Sequence, residues 1–215
     1  MYKKIIKRAI DILLSLIGII VLAIPMLVVA AAIKIDSPGP ALFTQRRVGI
    51  HKKEFVILKF RSMPVNAPHD TPTHRLGRVR LTGFQRFIRR SSIDELPQIF
   101  NIFAGHMSIV GPRPALWNQY DLIAERDRYG ANDVKPGLTG WAQINGRDEL
   151  GISEKARFDG EYVVALNAGH GRGFAMDCKC FVGTVGSVIR HKGVIENGTC
   201  DSRDEAAAEK ETVGK

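Results

Sequence analysis

Several things are scarce in this chain of 215 residues. Aromatic residues make up 7% of it. A single-strand nucleic-acid surface interleaves cations with stacking rings, and no such run is present. That argues against a nucleic-acid partner. There are three cysteines, Cys178, Cys180 and Cys200. The odd number rules out a complete disulfide framework, and Cys178-Lys179-Cys180 lacks the spacing and the second pair of a zinc site. The cysteines read as free thiols, which suits a reducing compartment. Asn197-Gly198-Thr199 matches a glycosylation sequon without consequence on a cytoplasmic tail. No internal repeat appears.

Acidic residues are also outnumbered. The formal charge is +9, so an anionic partner is expected: nucleotide, anionic lipid or nucleic acid. Composition does not choose among them.

The plainest feature is an apolar run. Ile12 to Ile33 carries no charge and as a helix would span about 33 Å at ~1.5 Å per residue, enough for a bilayer core. It is long for a cleavable signal and has no clear small-x-small site. Pro25 sits near its middle, where it removes one helix hydrogen bond and favours a bend. Lys3, Lys4, Lys7 and Arg8 precede the run; Lys34, Arg46, Arg47, Lys52 and Lys53 follow it. Both flanks therefore prefer the cytoplasm. A kinked helix that enters and leaves by one face satisfies both, so re-entry is favoured over crossing.

Beyond Asp36 to Pro40, two extended runs are expected over 41–48 and 54–63, reversing at 49–53. Residues 64–80, with three prolines, read as a long loop. Phe84, Phe87 and Ile88 suggest a short helix. Leu96, Ile99, Phe100 and Phe103 suggest another, stopped at Gly105. A further helix fits 116–129, and 134–147 reads as ordered loop and short strand. From Phe174 to Lys192 an apolar stripe runs along an amphipathic helix, which would pack on the core or lie in a membrane interface. From Glu196 the chain is polar and is expected to be a disordered tail.

Chemistry concentrates in "SSIDELPQIFNIFAGHMSIVGPRP", residues 91–114. Asp94 and Glu95 stand between Arg89-Arg90 and a stiff Pro112-Arg113-Pro114. Two readings compete. Ser92 and Glu95 have the spacing of a capping box, and acids suit a first helical turn. Alternatively, nearby guanidinium groups hold phosphate oxygens while paired carboxylates serve Mg²⁺, which takes one or two carboxylates plus substrate phosphates. One carboxylate could also attack phosphorus.

Taken together, "KRAIDILLS", "FTQRRVG", "KFRSM", residues 91–114 and "VKPGLTGWAQINGR" resemble the initiating polyprenyl-phosphate phosphoglycosyl transferases, the bacterial sugar transferase family, over about residues 1–192. The resemblance implies an α/β fold, mainly helical with short strands: a re-entrant membrane helix (1–35), a cytoplasmic catalytic domain with interfacial amphipathic helices (36–195) and a tail (196–215). It implies transfer of a phospho-sugar from a UDP-sugar to a polyprenyl phosphate, usually undecaprenyl phosphate, with Mg²⁺ and loss of UMP, at the cytoplasmic face of a bacterial inner membrane. Asp94 would be the nucleophile and Glu95 its partner, both near Mg²⁺. Arg89 and Arg113 would hold phosphates, with Lys59, Arg61 and Arg147 as weaker candidates. Pro25 would be the bend, and Arg8 a headgroup anchor with Asp11 as its internal partner. The chain would be the minimal catalytic form. Two departures stand out: Asp148 where the family often has Asn, and a glycine-rich stretch over 160–173. Sugar identity and oligomeric state are not legible. A tethered basic binding protein or a phosphate-ester hydrolase using Asp94 are the rival classes, distinguished by absence of UMP or by release of free sugar phosphate.

Overall fold

The structure, a computed structural model, describes residues 2–68, 70, 79–146, 150–169, 171–189 and 199–200. A π-helical turn, Tyr2–Ile6, leads into α1, Lys7–Asp36. At ~1.5 Å per residue α1 is about 45 Å long. It is long and apolar enough to cross a membrane, and it continues through Pro25 as one helix. Most of its large apolar side chains are exposed, among them Leu13, Ile20, Val21, Ile24 and Leu27.

One side of α1 is nonetheless docked along its length. Near its start the Arg8 guanidinium donates to the carbonyls of Ile102 (2.7 Å) and Phe103 (2.8 Å), at the C-terminal end of α3, Gln98–Ala104, where a cation complements the helix dipole. Asp11 accepts from the backbone N–H of Ile109 at 3.0 Å. Arg8 and Asp11 thus each bind the domain, and their hydrogen bonds run to backbone groups rather than to one another. Gly18 lets α3 come close: a Cβ there would sit 2.3 Å from Ile99 Cδ1. Towards the far end Met26 and Ile33 pack with Phe60 and Ile88.

The rest follows its sequence patterns closely. β1, Leu42–Val48, and β2, Glu54–Phe60, form an antiparallel hairpin. Glycine 49 and left-handed His51 and Lys52 make the reversal. β3 is Val79–Arg80. α2, Gly83–Arg90, starts at Thr82, which forms a capping box with Gln85 and donates to Asp36 at 2.9 Å. After α3, β4 (Ser108–Val110) pairs in parallel with β5 (Gly137–Thr139). The crossover a parallel pair requires contains α4, Tyr120–Asp127. α5 is Trp141–Ile144, α6 Ile152–Asn167 and α7 Arg172–Ile189. The glycine-rich stretch is helical as far as Asn167, and left-handed Gly169 and Gly171 then make the turn into α7.

On α7 the apolar stripe faces outward: Phe174, Phe181, Val182 and Val185 are exposed, while Asp177 and Cys180 face the domain. The core alternative for this stripe is therefore not what the structure adopts. Of the expected tail only Thr199–Cys200 is described, as β6, paired in parallel with β3; the remainder, like Arg147, Asp148 and most of the 64–80 loop, lies outside the described residues.

Candidate active site

Three backbone segments meet around Asp94 and Glu95: the end of the β1–β2 hairpin, the turn at 91–97 and the loop after β4. Each is held by identifiable contacts. Asn101 of α3 reads the edge of β2, donating to Val56 O at 2.7 Å and accepting from Leu58 N at 2.9 Å. That places Lys59, the next residue of β2, opposite Glu95.

The 91–97 turn does not form the expected capping box. Ser92 is left-handed (φ 56°) and its side chain makes no cap bond. Residues Ile93–Glu95 form one 3-10 turn before α3 begins at Gln98. A left-handed serine costs on the order of 1 kcal/mol and needs surrounding support. The turn directs both carboxylates into the domain, where Asp94 and Glu95 are buried.

The loop after β4 is set by glycines. A Cβ on Gly137 would lie 2.1 Å from the Gly111 nitrogen, and one on Gly140 would lie 2.1 Å from the Gly111 oxygen. Backbone therefore lies directly on backbone, with Gly137 N–H donating to Pro112 O at 2.9 Å. From the other side Arg47 donates to Pro114 O at 3.0 Å. Arg113, between these two fixed prolines, reaches Glu95 with both guanidinium nitrogens, at 2.7 and 3.3 Å. Lys59 Nζ adds a third contact to Glu95 at 3.1 Å.

Asp94 is treated differently. Its hydrogen bond is from the Ser62 hydroxyl, at 3.2 Å to Oδ2. Burial raises its carboxyl above the ordinary value; the charge of Lys59 pulls it down, Glu95 pushes it up and Arg89 pulls it down again. Burial likewise lowers Lys59, opposed by Glu95. Arg47, Lys59, Arg89 and Arg113 thus face two carboxylates, and the Nε atoms of Arg47 and Arg89 are buried without a hydrogen-bond partner. A partly buried cluster rich in cations is suited to an incoming anion.

The structure brings Asp94, Glu95, Arg89, Arg113 and Lys59 together. It turns Arg61 elsewhere: that guanidinium donates to Pro38 O (2.6 Å) and Ser37 O (2.7 Å), holding the exit of α1. Arg47 and Ser62 were not singled out from sequence. Strand alternation carries a signal for Arg47, since along residues 42–47 of β1 the odd-numbered residues are partly buried and the even-numbered ones exposed. Nothing in the sequence marks Ser62 beyond its place in "KFRSM".

As for a cation, no group of three or more His, Cys, Asp or Glu is found among the described residues. A cage built from protein alone is not what this cluster offers. A Mg²⁺ held by one or two carboxylates and completed by substrate phosphates fits it. Asp94 is the carboxylate with capacity to spare, while Glu95 already accepts from Arg113 and Lys59.

A buried carboxylate among cations, on a small α/β domain docked to an apolar helix, is an arrangement suited to a phosphate-bearing ligand at a membrane surface. Comparison with known proteins narrows this. The family described as bacterial sugar transferase matches residues 2–191, and the chain belongs to that family. It is 45% identical over 171 residues to the UDP-glucose:undecaprenyl-phosphate glucose-1-phosphate transferase of Xanthomonas campestris pv. campestris, covering 75% of this chain and 35% of the relative. It is 36% identical over 191 residues to the uncharacterized sugar transferase EpsL of Bacillus subtilis, covering 88% of this chain and 90% of the relative. It is 43% identical over 143 residues to the UDP-N-acetylgalactosamine-undecaprenyl-phosphate N-acetylgalactosaminephosphotransferase of Aeromonas hydrophila, covering 65% of this chain and 34% of the relative. The chain thus spans about a third of the length of the two relatives whose names state an activity.

Proposed function

We propose that the protein transfers a phospho-sugar from a UDP-sugar to undecaprenyl phosphate through a covalent adduct on Asp94. The observation that carries this is the asymmetry of the acid pair: Glu95 is engaged by Arg113 and Lys59, whereas Asp94 is buried with one weak hydrogen bond. In the first half-reaction an Asp94 oxygen bonds to the β-phosphorus. The bond from that phosphorus to the bridging oxygen breaks, and UMP leaves with the electron pair. In the second half-reaction a phosphate oxygen of the lipid bonds to the same phosphorus and the Asp94–phosphorus bond breaks. The product is a polyprenyl-diphosphate sugar, the first unit of a surface glycan or glycoprotein oligosaccharide.

Arg113 and Arg89 take the phosphoryl oxygens, and Lys59 offsets the charge of both carboxylates. Glu95 keeps Arg113 and Lys59 in place before substrate arrives. Asp94 and Glu95 would hold Mg²⁺, which would supply charge neutralisation. Arg147 is assigned to the nucleotide by its motif. Arg61 is assigned to the framework beside the site.

The membrane reading has its own support. Both ends of α1 are held by one domain, through Arg8 and Asp11 near its start and through Ile33, Ser37 and Pro38 at its exit. A helix perpendicular to a bilayer would separate those ends by the membrane thickness. Entry and return on the cytoplasmic face of the inner membrane keeps both ends, the domain (36–195) and the soluble donor on one side. Exposed apolar residues on α7, with Phe100 and Phe103 on α3, suit the interface.

The test uses the full chain in detergent with Mg²⁺, undecaprenyl phosphate and UDP-glucose, UDP-galactose or UDP-N-acetylgalactosamine. UMP release that scales with lipid, and a phospho-sugar mass on the Asp94 peptide when lipid is withheld, are expected. Free sugar phosphate with no lipid product would instead establish a hydrolase.

A further inference from the structure

We infer that Ser62 is a positioning residue that governs departure of Asp94 from the covalent adduct. This rests on the covalent reading above and goes beyond it by separating the two half-reactions.

Ser62 is the second residue beyond β2 and is buried. The residue before it is fixed by both backbone and side chain. The Arg61 N–H donates to Ala41 O at 2.9 Å, and the Arg61 side chain is held by Ser37 and Pro38. Asp94 is equally constrained, on a 3-10 turn entered through left-handed Ser92. The 3.2 Å bond from Ser62 Oγ to Asp94 Oδ2 therefore joins two stiff pieces. Among the described residues it is the hydrogen bond that the nucleophile receives. It occupies Oδ2 and leaves Oδ1 for phosphorus.

The consequence lies in how charge moves. Free Asp94 is a carboxylate, and the Ser62 hydroxyl donates to an anion. In the adduct Oδ1 is bonded to phosphorus and Oδ2 is a neutral acyl oxygen, so the bond from Ser62 is weaker. Phosphoryl transfer passes through a loose transition state in which the bond to the entering or leaving oxygen is largely open. Asp94 is then nearly a full carboxylate at both transition states. Ser62 stabilises the free enzyme and both transition states alike, and the adduct less. Removing the hydroxyl should leave adduct formation almost untouched. Adduct breakdown should slow by nearly the whole worth of a hydrogen bond to a charged group, ~10-fold or more.

The experiment compares wild type, Ser62→Ala, Ser62→Thr and Ser62→Cys, each as full chain in nanodiscs. The donor is whichever of UDP-glucose, UDP-galactose and UDP-N-acetylgalactosamine yields adduct with wild type. Rapid quench gives the UMP burst without lipid, and chase with undecaprenyl phosphate gives the rate of adduct loss by intact mass. For Ser62→Ala the burst rate should stay within ~2-fold of wild type, chase should slow ~10-fold or more, and adduct should accumulate in steady state. Ser62→Thr should restore chase, and Ser62→Cys, a weaker donor, should fall between. Equal slowing of both halves, or no change in the chase, overturns the role of Ser62 while leaving the covalent reading intact. No adduct on the wild-type protein overturns the covalent reading and the inference with it.

Discussion

Two regions of this protein bury charge, and they treat it in opposite ways. Beneath the start of α1, Asp177 of α7 accepts from Lys7 Nζ at 2.8 Å, from the Tyr2 hydroxyl, and from the Tyr162 hydroxyl at 2.9 Å. One acid meets one cation and two neutral donors, and both oxygens are used. Around Asp94, among the described residues, Arg47, Lys59, Arg89 and Arg113 gather near Asp94 and Glu95, the Nε atoms of Arg47 and Arg89 are buried without a hydrogen-bond partner, and Asp94 accepts a single long hydrogen bond. The dock under α1 is electrostatically finished. The corner around Asp94 keeps cationic capacity that an incoming phosphate, under the proposed function, would use.

That contrast is broken or upheld most sharply by one pair of substitutions. Asp94→Asn should lose turnover by on the order of 10³-fold or more, since the proposed covalent route needs a carboxylate there and an amide is a poor nucleophile, and should not lower the midpoint of denaturation. Asp177→Asn should do the reverse. It leaves Lys7 buried without its counter-charge and should cost about 2–3 kcal/mol, with turnover per folded molecule preserved. Denaturant unfolding and UMP release on the same samples decide it. If Asp94→Asn destabilises as much as Asp177→Asn, the corner is a structural ion cluster and the contrast fails.

A smaller effect concerns pH. Burial holds Asp94 above its ordinary 3.8 and Lys59 below its ordinary 10.5. The UMP burst should therefore rise with pH through the ionisation of Asp94, at a value above that of a free carboxylate. It should fall again as Lys59 loses its proton earlier than a free lysine. Stability moves the other way on the acid side. The folded value of Asp94 exceeds the unfolded one, so the native state binds the extra proton and loses stability as pH rises through that window. Asp94→Asn should flatten this dependence, and Lys59→Arg should carry the alkaline limb upward. A burst profile unaffected by Lys59→Arg would remove Lys59 from the site.

How much of this was legible beforehand follows from what each signal measures. The helices and the hairpin were readable because period 3.6 and period 2 report which face is buried. Asp94 and Glu95 were readable as candidates because two acids in a basic setting are conspicuous. Their roles were not separable, since that depends on Arg113 and Lys59 arriving from distant segments. The capping-box reading of Ser92 gave way because spacing says nothing about a left-handed backbone. Among cations the sequence is nearly silent. Arg8 and Arg61 look like Arg89 and Arg113, yet the first two donate to backbone carbonyls at the ends of helices. Only partner geometry tells a cation that closes a helix from one that awaits phosphate.

The smallest expected effect probes the finished region through its thiols. Cys178 is exposed on α7, and Cys180, two residues on, is buried against the dock. Burial pushes the Cys180 thiol up to about 12, with the negative charge of Asp177 adding to the shift and Lys7 opposing it. Iodoacetamide should therefore modify exposed Cys178 faster than buried Cys180, whose reactive thiolate is scarce, read by peptide mass spectrometry on folded protein. Asp177→Asn removes the charge that disfavours the thiolate and loosens the contact with Lys7, so it should bring the two rates closer, whereas Asp94→Asn should leave their ratio alone. Equal rates in the wild type would mean that α7 does not hold its Asp177 face against the start of α1. The distinction between a saturated dock and an unsaturated corner around Asp94 would then have no structural basis.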